Sequence, residues 1–419
     1  MAEVDLDEYR ARAARWLADN LPRREPGSYR GARGGGADDS AEFMAEQRAL
    51  QRKLFDGGYA GIAWPAEYGG AGLTAQHQRV FNEEAAGYAV PILGGVTFGI
   101  IGPTILVHGT EEQKRAWIPK MLSGEEIWVQ FLSEPSAGSD LAGIRTRATR
   151  DGDTWVINGA KVWSTGAMVS DMGMCLARTD WDAPKHRGLT WFRVPIRSQG
   201  VTVRPIREIN GGAEFCEEFF DDVVVPADHM IGDVNGGWPI ANTLLNFERG
   251  AGRDAPPAAL QGAGARELAP DLVALARATG AEGDRHVRQL IARAHVNDYM
   301  HAQLARRVVT AISTRAVDAS AASLIKLGSG IYDPIRARIG MEIAGSRGIA
   351  WSADDPGGND VSTTYLNGRI MAIAGGSNQV QRNIVGERLL GLPREPSFDA
   401  DKPFNEVLRD AQNWTGKIG

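Results

Sequence analysis

The hydrophobic period of this chain changes twice along its length, and that constrains its fold more than any other feature. From Val4 to about Lys120 apolar residues recur at three- and four-residue spacing, as in Tyr9, Ala13, Trp16 and Leu17 and again in Phe43, Leu50, Leu54 and Phe55. Such spacing lines one face of a helix. A Gly/Pro/Arg-rich stretch at 25–39 reads as an exposed loop between helices, and 64–73 as a shorter one. The small residues of 94–109 suit close helix packing. From Ile127 to about Ile231 the period drops to two: runs such as MGMCLART (172–179), LTWFRVP (189–195), VTVRPI (201–206) and EFFDDVVVP (218–226) are divided by polar or glycine turns, which fits an antiparallel barrel or sandwich. Asn158-Gly159 stands between two alternating runs and predicts a type I′ hairpin, with Asp151-Gly152 as a second turn upstream. After residue 232 helical spacing returns with Ile240, Leu244, Leu245 and Phe247, and Pro239 suits a first helical position. Further helices are expected over 284–313, 315–345 and 377–391, while 254–270 reads equally as a broken helix or a loop. The 419 residues exceed what one core usually organises. The expected fold is therefore α+β, with an N-terminal helical domain (1–126), a middle antiparallel β-barrel (127–231) and a C-terminal helical bundle (232–419).

Composition excludes several functions. A net charge of −6 argues against a nucleic-acid surface. No run approaches the roughly 18 to 20 apolar residues needed to cross a bilayer, and the acidic, amphipathic N-terminus has no apolar signal core, so no membrane association and a cytoplasmic location are expected. Cys175 and Cys216 lack CxxC partners and read as small apolar filler. The seven histidines form no HExxH or other ligand-spaced set, so no metal is expected. The outlier is glycine, with 51 residues, about 12 % against a usual ~7 %; it marks turns or places where backbone approaches a ligand.

Three clusters concentrate unusual chemistry. FLSEPSAGSDLAG (131–143) runs from a strand into small hydroxyl and carboxylate residues whose backbone N–H groups suit a ligand rich in acceptors. KVWSTGA (161–167) sets an indole beside two hydroxyls at a strand end. In IAGGSNQVQRNIVGERLLGLP (373–393) two glycines open a helix at Ser377, where an anion or carbonyl can be held.

These clusters, in their order and together with WPAEYGG (64–70), HGTEEQKRAWIP (108–119), DGDTWVING (151–159) and GDVNGGW (232–238), resemble the acyl-CoA dehydrogenase family of flavoproteins from about Tyr9 to Pro393. The resemblance implies the same three-domain architecture with a C-terminal four-helix bundle, the cofactor FAD, an acyl-CoA thioester as substrate and an electron-transferring flavoprotein as acceptor. The reaction implied is α,β-dehydrogenation: a carboxylate takes the α proton while the β hydrogen leaves as hydride to flavin N5. Phe131, Leu132 and Ser133 would line the flavin, Trp163 would stack on it, and Ser164 and Thr165 would join it, Thr165 at N5. Gly138 and Ser139 match positions near the flavin phosphate and the pantetheine. Glu342, Gly345 and Gly348 match positions beside the dinucleotide of a neighbouring subunit, and Ser377 and Gln379 complete the cofactor set. Asn246, Arg249, Ser139 and Gly376 would meet the substrate.

Two departures sharpen this expectation. Many members read Tyr-Glu-Gly-Thr where this chain reads Ala374-Gly375-Gly376-Ser377, so the usual catalytic glutamate is Gly375, which keeps only its N–H for the thioester carbonyl. Some members, including the isovaleryl and long-chain enzymes, carry the glutamate on a C-terminal-domain helix just before an arginine. Here that position is Glu248, before Arg249, and Glu248 is the expected base. The vacated volume at Gly375 predicts a branched or bulky acyl group. The second departure is the absence of the Arg-x-x-Phe-Gly clamp: 275–289 offers Arg285 or Arg288 in its place, and Arg347 is the expected offset for Glu342. Such losses resemble members that form mixed tetramers of two dehydrogenase chains, so a homodimer, a homotetramer and a mixed tetramer all stay open. So do two other functions, a partner subunit completing a neighbour's site and a flavin monooxygenase on the same fold.

Overall fold

The computed structural model describes residues 4–23, 41–91, 94–249, 269–350, 356–397 and 399–413; the loop expected over 25–39 and nearly all of 254–270 lie outside them. The first helical period folds into α1 (Leu6–Asn20), α2 (Ala41–Asp56), α3 (Ala75–Ala85), α4 (Gly102–His108) and α5 (Glu111–Leu122). Local signals place their ends. Asp5 accepts from the Asp7 and Glu8 N–H groups at the start of α1, and Thr110 with Gln113 forms a reciprocal cap on α5. The 3/4 spacing buries Tyr9, Ala13 and Leu17 on one face of α1. Gly102 shows why small residues crowd this region: a Cβ there would lie 2.2 Å from the Trp64 ring.

The middle segment forms β1 (Trp128–Phe131), β2 (Arg147–Asp151), β3 (Thr154–Thr165), β4 (Met172–Arg178), β5 (Leu189–Pro195), β6 (Val201–Pro205), β7 (Phe215–Pro226) and β8 (Met230–Ile231). They join one sheet in the order β6-β7-β3-β2-β4-β5-β8, with β1 beside β4. Pairing is antiparallel except where β1 and β2 meet β4 in parallel. β4 and β5 are buried almost throughout, because helices cover one face while the sheet curls over its own core on the other. Phe131, Trp155, Phe192, Phe220 and Val223 fill that inner core. Trp128, Leu132, Leu176 and Trp191 face outward and share a second core with the N-terminal helices and Ile240 and Leu244.

The hairpin expected at Asn158-Gly159 does not form. The chain turns at Gly152 (φ +56) and runs straight through 158–159 as β3. Gly159 instead sits at a register irregularity against β7, at φ +149, where a Cβ would lie 2.5 Å from Thr146 Oγ1. The same freedom that permits a turn permits a bulge, and the pairing with β7 decides between them.

The second helical region comprises α6 (Gly237–Glu248), α7 (Pro270–Ala278), α8 (Arg285–Ser313), α9 (Ala322–Ala344), α10 (Pro356–Asn367), α11 (Asn378–Ile384) and α12 (Phe404–Gln412). Pro239 is the third residue of α6 rather than its first. The helix expected from 315 starts at 322 after a short turn capped by Asp318, and α11 ends early in a widened turn, Val385–Leu389. α10 has no counterpart among the expected helices, because its Gly-, Ser- and Thr-rich sequence carries weak helical spacing. Arg336 of α9 ties Asp271 of α7, at 2.6 Å, to Asp298 of α8. Among the described residues no helix is long and apolar enough to cross a membrane, and no group of three His, Cys, Asp or Glu could hold a metal ion.

Candidate active site

The loop after β1 is fastened from beneath. Glu134 accepts from the Arg145 N–H (2.6 Å), the Thr146 N–H (2.8 Å) and Lys161 Nζ (2.9 Å), and Lys161 also donates to the Leu132 carbonyl at 2.9 Å. Both side chains are fully enclosed. Burial pushes the Glu134 carboxyl up, but the Lys161 charge and the N–H donors outweigh it and hold it below the usual range. Thus anchored, the loop turns residues 135, 136 and 138–140 to solvent, and the side Gly138 would present is open space. Ser133 is half-buried at its root. Phe131 is not a lining side chain: its ring is wholly enclosed, 5.6 Å from Phe220, because the strand's alternation turns it inward. Leu132 is likewise buried, against the N-terminal helices.

At the end of β3 a second bulge re-aims the chain. Trp163 has φ +68, a conformation that costs an L-residue about 1 kcal/mol or more, and its indole is 58 % exposed, edge-on to Phe215. A strained backbone that holds a large aromatic outward is a platform for a flat ligand. Thr165 is half-buried beside it. The Ser164 side chain departs from the expectation: the bulge points it inward, where its hydroxyl donates to Glu218 Oε2 at 2.9 Å, so the hydroxyl supports β3 from below and is not open to a ligand. Burial, aided by Glu217, pushes Glu218 up to about 7 against the Ser164 bond and the Lys161 charge. A carboxyl raised in the folded state stabilises below its unfolded value and withdraws that contribution as pH rises through the folded one. Wild-type stability should therefore fall by ~3 kcal/mol between about pH 4 and pH 8 relative to Glu218→Gln. Urea midpoints of the two proteins that run parallel across this range would exclude Glu218 as the source.

The third part assembles from α6, α9 and the segment before α11. Glu248 ends α6. Gly375 and Gly376 follow with φ +65 and +92. A Cβ on Gly375 would lie 3.6 Å from Glu248 Oε1 and 3.1 Å from Lys326 Cε. Gln381, fully buried, donates to the carbonyls of Gly375 (2.8 Å) and Gly376 (3.2 Å), which fixes both peptides. No described residue accepts from the Gly375 or Gly376 N–H. Ser377 caps α11 by accepting from the Val380 N–H at 3.3 Å, and Gln379 is exposed. Asn246 and Arg249 touch at 3.5 Å, and Arg249 Nε is buried without an acceptor among the described residues. Burial lowers the Arg249 pKa while Glu248 opposes that shift.

The remaining expected residues stand apart. Glu342 and Gly345 are at the far end of α9, about 24 and 28 Å along the helix from Lys326, well away from Glu248 and Gly375 of the same chain. Glu342 faces His286 at 3.8 Å, whereas Arg347, its expected offset, donates to the Ala278 carbonyl. Gly345 (φ +57) opens to solvent, Gly348 packs on Met341, and Arg285 and Arg288 are exposed. Sequence reasoning missed Lys326, Gln381 and the Glu134–Lys161–Glu218 group. Only Lys326 left a signal, a lone charge in the apolar run LIKLG.

The family models for the acyl-CoA dehydrogenase N-terminal, middle and C-terminal domains match residues 35–125, 130–223 and 235–390. The chain is 38 % identical to the acyl-CoA dehydrogenase IpdE1 of Mycobacterium tuberculosis over 93 % of its own length and 99 % of that protein. Its fold is similar to that of the Tcur3481-Tcur3483 steroid ACAD (TM-score 0.76, 31 % identity, 93 % and 98 % of the two chains). It is also similar to a chain of the ChsE4-ChsE5 complex from Mycobacterium tuberculosis (TM-score 0.72, 27 % identity, 94 % and 100 %).

Proposed function

Starting from the fact that the chain belongs to the acyl-CoA dehydrogenase family, and so is an oxidoreductase acting on a CH–CH bond of an acyl-CoA, we propose that it performs FAD-dependent α,β-dehydrogenation of a branched or ring-bearing acyl-CoA with Glu248 as base. The observation that carries this reading is the convergence at Gly375: the Glu248 carboxylate lies 3.6 Å from the point where a side chain on residue 375 would begin. A carboxylate arriving from α6 thus stands beside the place where the family's more common glutamate would start.

The α proton of a thioester is a weak acid, so the base works only if the carbonyl is polarised at the same time. The Gly375 N–H, without a described acceptor, is the donor assigned to that carbonyl. Arg249, with its unsatisfied Nε, and Asn246 flank the base and are assigned to the substrate with Ser139 and Gly376. Trp163, Thr165, Ser133, Gly138 and the loop around them fit a flavin, since they offer one exposed ring, open backbone and otherwise small side chains. FAD, when bound there, supplies the acceptor for the β hydrogen. Two adjacent glycines leave room beside the acyl chain, and the steroid dehydrogenase similarity supports a bulky group. Ile349, 80 % exposed, with Ile373, Leu390 and Leu392, supports assembly with a second copy or a related dehydrogenase chain. The proposed electron acceptor is an electron-transferring flavoprotein.

The test is anaerobic mixing of purified protein with butyryl-, isovaleryl- and 3-cyclohexylpropanoyl-CoA while flavin bleaching is followed. Bleaching without NAD(P)H, faster with the branched or ring-bearing compounds, is expected. A preference for butyryl-CoA would overturn the bulky-substrate reading, and protein purified without FAD would favour a partner subunit.

A further inference from the structure

We propose that Lys326 is a positioning residue whose ammonium keeps the Glu248 carboxylate ionised and aimed at the space in front of Gly375; the inference rests on the reading of Glu248 as the base. Lys326 is in the first turns of α9 and only 6 % exposed. Its Nζ donates to the Met371 carbonyl, in the segment that leads to Gly375. Its Cε and the Glu248 carboxylate oxygen bracket one point, the would-be Cβ of Gly375, at 3.1 and 3.6 Å. Three elements distant in sequence therefore bring the end of a lysine side chain and a carboxylate to opposite sides of one residue, close enough for the carboxylate to act on the ammonium through space.

An ammonium has three donors, and a neutral carbonyl satisfies one of them. Burying such a group without a counter-charge is costly, and Glu248 is the carboxylate that α6 brings to it. The pairing works in both directions: the lysine makes the ionised base cheaper in a dry site, and the carboxylate keeps the lysine charged. Other charges frame the pair. Arg249 on α6, with Arg388 near it, repels Lys326, while Asp333, two turns along α9, attracts it. His301 of α8 bonds the Ile325 carbonyl, and burial keeps its pKa down. Asp333 is itself held up at about 6 by burial and Asp298. Burial brings Lys326 down to about 8, with Glu248 and Asp333 opposing, so it is charged at neutral pH. Glycine at 375 is part of the arrangement, because its backbone has positive φ and a Cβ there would crowd the Lys326 Cε at 3.1 Å.

The FAD-loaded protein tests this with Lys326→Met, Lys326→Gln and Lys326→Arg, using the fastest-reacting acyl-CoA of the panel above. Both neutral variants should move the rising limb of flavin reduction against pH upward by about one unit or more, losing roughly tenfold in rate on the acid side and regaining it at high pH, while Lys326→Arg keeps the wild-type limb. Lys326→Gln retains a donor for Met371 and guards against loss of the fold. A second readout needs no turnover: difference-infrared titration of wild type against Glu248→Gln follows the Glu248 carboxyl directly, and the same shift should appear there. If Glu248→Gln reduces flavin at near wild-type rate, the base assignment fails. If Glu248→Gln is inert but neither neutral variant shifts the rate limb or the carboxyl titration, the role of Lys326 alone is overturned. A merely structural lysine would lower FAD content or stability without moving either curve.

Discussion

Glu248→Gln should reduce flavin with acyl-CoA about a thousandfold more slowly than wild type, because an amide cannot take the α proton and positioned acid–base groups are worth roughly 10² to 10⁴ in rate. The substitution keeps size and shape at the end of α6, so FAD content and thermal stability should hold. That contrast is what makes the experiment decisive. Glu248 is half-buried, and a Glu-Arg pair at a helix end is ordinarily a solvated surface feature worth little. Here it lies beside a glycine that has no side chain to compete and a lysine that supplies charge. Rapid single-turnover bleaching by Glu248→Gln would mean that another group takes the proton.

The second large effect is on the scaffold. Lys161→Met should destabilise the protein by ~3–5 kcal/mol, since it leaves Glu134 buried without its counter-charge. Its cost should exceed that of the double variant Lys161→Met/Glu134→Gln, in which the stranded charge is removed as well. Because Glu134 is depressed in the folded state, the contribution of the pair is present above the ordinary carboxylate range and is lost as pH falls below it. The loop from Leu132 to Thr146 depends on this pair for three of its hydrogen bonds, so FAD affinity should weaken together with stability. Denaturant unfolding that costs less than about 1 kcal/mol would show that the loop is held by packing alone.

How much of the site was legible in the sequence differs residue by residue. Trp163 and Glu248 could be singled out by position; the fold leaves Trp163 58 % exposed and sets the Glu248 carboxylate beside Gly375. Phe131 and Ser164 belong to the same motifs yet turn into the interior. Which side of a strand a residue takes depends on strand alternation and on bulges, and the bulge at 162–164 is set by pairing with β7, more than fifty residues away. Asn158-Gly159 failed as a hairpin for the same reason. Its local chemistry permits positive φ, but it does not say whether the chain reverses or merely kinks.

The sequence alone determined what short-range physics controls: helical and alternating periods and hence the three-part division, the caps at Asp5 and Thr110, and the glycines that leave backbone bare. Tertiary structure decided the electrostatics. Glu134 with Lys161, Glu218 under Ser164, and Lys326 beside Glu248 are brought together across sequence separations of 27, 54 and 78 residues, and a buried charge acquires its meaning only from what is packed against it. Periodicity records which residues leave water; it carries no information about which of them meet once they have left.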